Sequence, residues 1–225
     1  MIVIQLQLVI FDLDGTLVDT ERVSIEAWKS VANTKGVRLE EKLFNEMIGS
    51  SKDDSQKRLR KLFPEIDLVD LRRDKEEVFL SLIKTNEALV KSGVKDLLIF
   101  LQRHGIKTAI ATNTERYFAR EVIVQSGLAP LVDFVAYRDD VANGKPAPDL
   151  YQHVLNYFDV PSNQALAVED SNPGIQSATT AQLKTIFVPD LADLSIENAA
   201  KIFRREENLA GLLEYLRKTM DIGEM

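Results

Sequence analysis

With 225 residues and 28 Lys and Arg against 35 Asp and Glu, the chain carries a formal charge of −7, which excludes a general attraction to nucleic acid or an anionic membrane, so any anionic ligand must be met by local groups. It contains no Cys, which excludes disulfide scaffolds, thiolate metal sites and cysteine nucleophiles and makes a reducing cytoplasm the expected location. The apolar run Leu8-Val9-Ile10-Phe11 stops at Asp12, far short of the ~20 residues of a bilayer span, and no basic start or small-residue cleavage site accompanies it.

Short apolar runs at residues 6–11, 107–111, 134–136, 165–168 and 185–188 read as strands. Helical spacing at 94–103, 115–125, 149–157, 173–181 and 209–217 places helices around them, which predicts an α/β core with a parallel sheet. Residues 19–90 break this alternation: they hold no strand-like run, and Val23, Ala27, Trp28 and Val31 recur at helical spacing. A helical insert is therefore expected at 19–90, ending near Ser92-Gly93, with residues 1–18 and 91–225 forming the core. Within the insert, Trp28 and Phe44 are read as packing residues. His104 falls at a helix end and His153 inside a helix, and neither is read as catalytic. The string Arg204-Arg205-Glu206-Glu207 and the acidic residues at 221–225 are read as solvated.

Polar residues follow three of the predicted strands, and in an open parallel sheet such positions converge at the carboxyl edge. Asp12-Leu13-Asp14-Gly15-Thr16 follows the first. One carboxylate there can attack phosphorus while the second handles the leaving-group and water protons, although the same string also suits an Asp-Gly turn with solvated acids. Thr112-Asn113-Thr114 follows the second and offers donors for phosphate oxygens or ordinary helix caps. Glu169-Asp170 follows the fourth and precedes Ser171-Asn172-Pro173-Gly174. Adjacent acids with no His or Cys nearby suit Mg²⁺, or else favour the start of a helix electrostatically. In Gly144-Lys145-Pro146-Ala147-Pro148-Asp149 the prolines stiffen the loop, Asp149 can cap a helix, and Lys145 is either a fixed cation for a phosphoryl group or an exposed loop lysine. Asp12, Asp14, Glu169 and Asp170 sum to −4 against +1 from Lys145, so a phosphate dianion could not enter such a site without a divalent cation.

The ordered set Asp12-Leu13-Asp14-Gly15-Thr16, Thr112-Asn113, Lys145 in its Lys-Pro-x-Pro-Asp context and Glu169-Asp170 resembles the haloacid dehalogenase superfamily, specifically the β-phosphoglucomutase-like phosphatases with a small helical cap. The resemblance spans residues 9–188. It implies a three-layer Rossmann-like α/β core with the cap inserted after the first strand. It further implies Asp12 as the nucleophile of a phosphoaspartyl intermediate, Asp14 as general acid and base with its main-chain carbonyl on the metal, and Lys145 as the neutralising cation. Thr112 would bind phosphoryl oxygens with Asn113 beside it, Asp170 would ligate Mg²⁺ with Asp12, and Glu169 would touch the ion directly or stand behind a residue that does. Dehalogenation is disfavoured, because the dehalogenases lack an acid at the position of Asp14 and use no metal. The expected activity is Mg²⁺-dependent hydrolysis of a small phosphorylated metabolite, such as a sugar phosphate. The alternatives are a phosphomutase and a non-catalytic phosphate-binding relative. Two departures in the insert point away from mutase: Ser24 stands where a mutase has His, and Lys52 where it has a phosphate-gripping Arg. Lys75 resembles a cap lysine that reaches substrate, or is a solvated charge. Oligomeric state is not encoded legibly, and a monomer is the starting expectation.

Overall fold

The computed structural model describes residues 6–36, 57, 59–61, 67–85, 89–191 and 193–221. The chain divides into two units, one holding residues up to Val18 and from Val90 onward, the other Asp19–Leu89.

The first unit is built on six parallel strands: β1 (Leu8–Phe11), β2 (Lys107–Ala111), β3 (Phe134–Ala136), β4 (Ala165–Glu169), β5 (Lys184–Phe187) and β6 (Arg204–Arg205). Their order is β3-β2-β1-β4-β5-β6. The strand order reverses at β1, whose neighbours β2 and β4 are reached in opposite directions; such a reversal opens a crevice at the carboxyl ends of the strands. The register aligns Phe11 with Ile110 on one side and Val168 on the other, so the residues just beyond these three positions emerge at one edge.

All four β1 side chains are buried, as expected of a strand with both faces covered. Leu8 and Ile10 face a cluster with Ala109, Ala111, Ala136, Ala165 and Ala167 and with Leu150, Tyr151 and Val154 of the helix Asp149–Phe158. The alanines keep the sheet surface low, which lets that helix and the helix Asn172–Thr180 approach closely. Alternation sends Val9, Phe11 and Ile110 to the opposite face, which is the face available to Val94–Arg103 with its buried Leu97, Leu98 and Leu101 and to its neighbour Leu209–Asp221. The result is a three-layer Rossmann-like arrangement. In chain order the helices whose bounds fall within the described residues are α1 (Thr20–Thr34), α2 (Leu68–Thr85), α3 (Val94–Arg103), α4 (Arg116–Gln125), α5 (Asp149–Phe158), α6 (Asn172–Thr180), α7 (Ile196–Ala199) and α8 (Leu209–Asp221).

The structure adds two elements that the sequence did not suggest, β6 and α7, and corrects one reading, the Asp149 cap. Arg204 and Arg205 have exposed side chains, yet their backbone adds β6 to the sheet beside β5; an edge strand can be solvated on its side-chain faces and still pair through the main chain. Helix α5 starts after Pro148 without a side-chain cap, and the Asp149 carboxylate instead accepts from the Asn143 amide groups at 3.2 and 3.1 Å. The short helix α7 has no counterpart among the expected elements, because four residues carry no periodicity. His104 closes α3 with its Nδ1 2.8 Å from the Phe100 carbonyl oxygen, and the His153 ring packs 5.7 Å from that of Phe134.

In the second unit, α1 and α2 pack on each other through Val23, Ala27 and Val31 and through Leu71, Phe79 and Ile83, the four-residue spacing of one helix face. A Lys35–Asp74 ion pair of 2.7 Å ties the two helices. Trp28 is half-buried on α1, while Phe44 and Lys52 lie outside the described residues. Among the described residues no helix is long and apolar enough to cross a membrane.

Candidate active site

Beyond β1, β2 and β4 the chain leaves the sheet, and each departure delivers a polar group to the same place. The amide of Asp12 still donates to the Val168 carbonyl at 2.9 Å, so Asp12 holds the direction of the strand before the chain turns. The turn is closed by bonds from the Gly15 amide to the Val18 carbonyl and from the Leu17 and Val18 amides to that of Leu13. Gly15 adopts φ 88°, and a Cβ there would fall 2.2 Å from Asp170 Oδ2, so the turn needs glycine for both its backbone angle and the nearness of the acid.

Asp12, Glu169 and Asp170 are 8%, 0% and 8% exposed, and one oxygen from each lies within 4.8 Å of the others. Lys145 reaches into this group: its Nζ donates to Asp12 Oδ1 at 2.6 Å and to Glu169 Oε1 at 2.5 Å. The Tyr151 hydroxyl also donates to Glu169 Oε1, at 2.6 Å, and that of Ser171 donates to Oε2 at 3.2 Å. Glu169 thus spends both oxygens on protein donors, while Asp170 Oδ1 accepts from Thr16 at 3.3 Å.

Asp14 points toward the end of β2. Its Oδ2 accepts from the Thr114 hydroxyl at 2.6 Å and from that of Thr112 at 3.2 Å. Asn113 clamps the backbone of Lys145 from both sides, its Nδ2 donating to the Lys145 carbonyl at 3.0 Å and its Oδ1 accepting from the Lys145 amide at 2.8 Å. A side chain engaged on two main-chain atoms positions the lysine. Lys75 belongs to the second unit, where its ammonium lies 4.6 Å from the centre of the Phe79 ring.

Burial is the dominant electrostatic fact. It pushes the Asp12 carboxyl up to about 8; Lys145 opposes the shift, while repulsion from Glu169 and Asp14 adds to it. Asp170 is raised well above the usual carboxylate range by burial, then by Asp12 and Glu169. Burial disfavours the Lys145 ammonium, yet the charges of Asp12 and Glu169 more than reverse this and hold its proton above the usual lysine range. The Tyr151 hydroxyl is raised by burial and by the neighbouring Glu169 charge, so it stays a donor. Buried carboxylates that resist ionisation together are what a hard divalent cation would relieve. The donors are all oxygen, which fits Mg²⁺.

Of the residues singled out in the sequence, Asp12, Asp14, Thr112, Asn113, Lys145, Glu169 and Asp170 come together here. The sequence reading passed over the roles of Thr16, Thr114, Tyr151 and Ser171. Thr16 and Ser171 lay inside quoted motifs but carried no assignment, Thr114 was read as a donor to phosphate oxygens or a helix cap and not as a partner of Asp14, and Tyr151 sits six residues past Lys145 on a helix, where an aromatic residue reads as core.

The chain is similar in sequence and fold to known proteins. Residues 9–188 match the sequence profile of the haloacid dehalogenase-like hydrolases. The chain is 31% identical over 221 residues to the phosphorylated carbohydrates phosphatase of Thermotoga maritima, covering 94% of this chain and 100% of that protein. It is 28% identical to protein CbbY of Cereibacter sphaeroides, covering 97% and 94%. Among solved structures it is similar to CbbY of Rhodobacter sphaeroides in complex with phosphate, with a TM-score of 0.78 at 27% identity, covering 92% of this chain and 96% of that one.

Proposed function

The chain belongs to the haloacid dehalogenase-like hydrolases, and on that footing we propose that it is a Mg²⁺-dependent phosphatase of phosphorylated carbohydrates that works through a phosphoaspartate on Asp12. The observation that carries this reading is the meeting of Asp12, Lys145 and Asp170 at the carboxyl end of the central strand. Support for the substrate class comes from the relatives, one named a phosphorylated carbohydrates phosphatase and another a validoxylamine A 7'-phosphate phosphatase.

Asp12, Asp170 and the Asp14 carbonyl would hold the ion, which would supply positive charge to keep Asp12 ionised and to offset the negative charge of an entering phosphate. Glu169, with both oxygens on protein donors, fixes Lys145. In the first step an Asp12 oxygen forms a bond to phosphorus as the ester P–O bond breaks, and the Asp14 carboxyl gives its proton to the departing sugar oxygen. In the second, Asp14 takes a proton from water, the water oxygen bonds to phosphorus, and the acyl phosphate P–O bond breaks to release inorganic phosphate and the Asp12 carboxylate. Lys145 keeps Asp12 Oδ1 in place and lies beside the charge that builds on the phosphoryl oxygens. Thr112 and Thr114 hold Asp14 by hydroxyls that can orient the carboxyl in either protonation state. The second unit, residues 19–89, would serve as the cap that excludes bulk water.

The test is phosphate release from a panel of sugar phosphates with Mg²⁺. Hydrolysis is expected, and Asp12→Asn should lower kcat by at least about 10⁴-fold. Turnover that survives in Asp12→Asn, or in excess chelator, would refute the mechanism. Conversion of a sugar 1-phosphate to its 6-phosphate in the presence of a bisphosphate, with no phosphate released, would replace hydrolysis with mutase chemistry. Stoichiometric binding without turnover across the panel would reduce the protein to a binder.

A further inference from the structure

Lys91 follows Val90, where the chain returns to the first unit, and it grips the turn after β1 twice. Its amide donates to the Leu17 carbonyl at 3.0 Å, and its ammonium donates to the Gly15 carbonyl at 2.5 Å. The same ammonium donates to Asp190 Oδ1 at 2.9 Å, with the two side chains 21% and 3% exposed. Asp190 lies in the segment after β5, and that segment is pinned in turn. Asn172, two residues past Asp170, donates from Nδ2 to the Asp193 carbonyl at 2.8 Å, while its Oδ1 accepts from the Ser195 amide at 2.9 Å and from Asn198 Nδ2 at 3.0 Å. Three separate stretches of chain therefore meet at one ammonium group.

The placement bears on the reacting groups. The Gly15 peptide is adjacent to Asp14, and a Cβ at Gly15 would lie 2.2 Å from Asp170 Oδ2 and 3.3 Å from Asp190 Oδ2. The turn is thus wedged between the acid assigned to the metal and the acid that anchors Lys91. Without the ammonium, the Gly15 carbonyl and Asp190 Oδ1 would each lose a charge-assisted donor close to Asp170. Surface ion pairs do little, but a sheltered pair that also holds a main-chain carbonyl restricts a backbone segment.

We propose that Lys91, anchored by Asp190, is a positioning residue that fixes the turn carrying Asp12 and Asp14 against Asp170; its catalytic consequence rests on the phosphatase reading above. The geometric claim does not depend on turnover. In the metal-free protein, hydrogen exchange over residues 13–18 should speed at least about tenfold in Lys91→Met while β2 and β4 are unchanged. With a sugar phosphate substrate, kcat should fall at least about tenfold while KM changes less than about threefold, and Lys91→Arg should recover at least about a third of wild-type kcat. Asp190→Ala should give a similar loss, and the double variant should fall no further than the worse single one. Should Lys91→Met fail to fold, Asp190→Asn, which keeps an acceptor but removes the charge, should raise exchange over 13–18 about threefold. Unchanged exchange over 13–18, a kcat within twofold of wild type in Lys91→Met, or losses that multiply in the double variant would each overturn the proposal. Faster exchange in a protein with no phosphatase activity would leave the clip standing and remove only the catalytic reading.

Discussion

Glu169 shows how a buried residue acquires its role from its partners. It is fully buried, and its charge is met by Lys145, Tyr151 and Ser171. Such a carboxylate is costly to desolvate and expensive to leave short of a donor. Tyr151→Phe removes one donor while preserving the volume that packs against Ala109 and Ala167. We expect it to destabilise the protein by about 2 kcal/mol and to lower kcat about tenfold, because Lys145 would then share its protons differently between Asp12 and Glu169. Thermal denaturation alongside steady-state kinetics checks both effects; unchanged stability and rate would show Tyr151 to be filler. Asn113→Ala tests the other side of the same lysine. It deletes both bonds to the Lys145 backbone, so kcat should fall about tenfold with little change in KM, whereas a substrate ligand would mainly raise KM. The ionic residues of this group were legible in the sequence because their chemistry is unusual after a buried strand. Their neutral supports were not, since Thr114, Ser171 and Tyr151 each have an ordinary local use as cap or core.

At the scale of the element, the start of α6 is the tightest junction in the site. Ser171 caps the helix by accepting from the Gly174 amide at 3.1 Å and also donates to Glu169. A Cβ on Gly174 would fall 1.9 Å from Glu169 Oε2. Glu169 cannot step aside, because three donors hold it. Gly174→Ala should therefore shift α6 outward and cost about 3 kcal/mol of stability, read by denaturant unfolding. Ser171→Ala, which loses the cap and a donor to Glu169 but adds no atom, should cost about 2 kcal/mol. A Gly174→Ala protein as stable as wild type would mean that the helix slides freely over Glu169. Strand identities were readable from apolar runs flanked by turn residues, and the helices from their spacing, with ends displaced by a residue or two except for α8, which runs on to Asp221 rather than 217. β6 escaped because two arginines pair through the backbone alone.

For the whole molecule the governing quantity is charge. The net −7 is spread over the chain, but the buried carboxylates concentrate part of it where water cannot screen it. In the metal-free protein Asp12 is raised to about 8 and Asp170 also lies well above its unfolded value. The folded state then holds protons that the unfolded chain, with carboxyls near 3.9, has already released. Stability without metal should accordingly fall as pH rises from about 4 toward about 8, with the two acids titrating as a unit. A cation held by both would remove that penalty and compete with the protons, so the rise in Tm on adding Mg²⁺ should be larger at pH 8 than at pH 6. Thermal shifts at the two pH values test this without any substrate. An equal shift at both, or none, would place the ion elsewhere. Asp133 has the opposite sign. Hydrogen bonds from Thr108 and Lys107 outweigh its burial and lower its pKa, so its contribution is present above the unfolded value and lost as pH falls through the folded one.

The sequence by itself determined the class of fold and the acids, lysine and hydroxyls that the structure brings together, and it set the expectation of a helical insert at 19–90, of which α1 and α2 are described. Local physics suffices for these: hydrophobic period separates strand from helix, and carboxylates directly after a buried strand have few structural uses. Only the tertiary structure decided what each group touches. It gave Glu169 to Lys145 and Tyr151, Asn113 to the Lys145 backbone, Asp14 to two threonines, and Lys91 to Gly15 and Asp190. These partners are separated by 18 to 100 residues along the chain, and short-range patterns carry no information about which distant donor will arrive beside a given acceptor. That pairing is fixed by strand order and by the close packing of helices on alanine-lined strands.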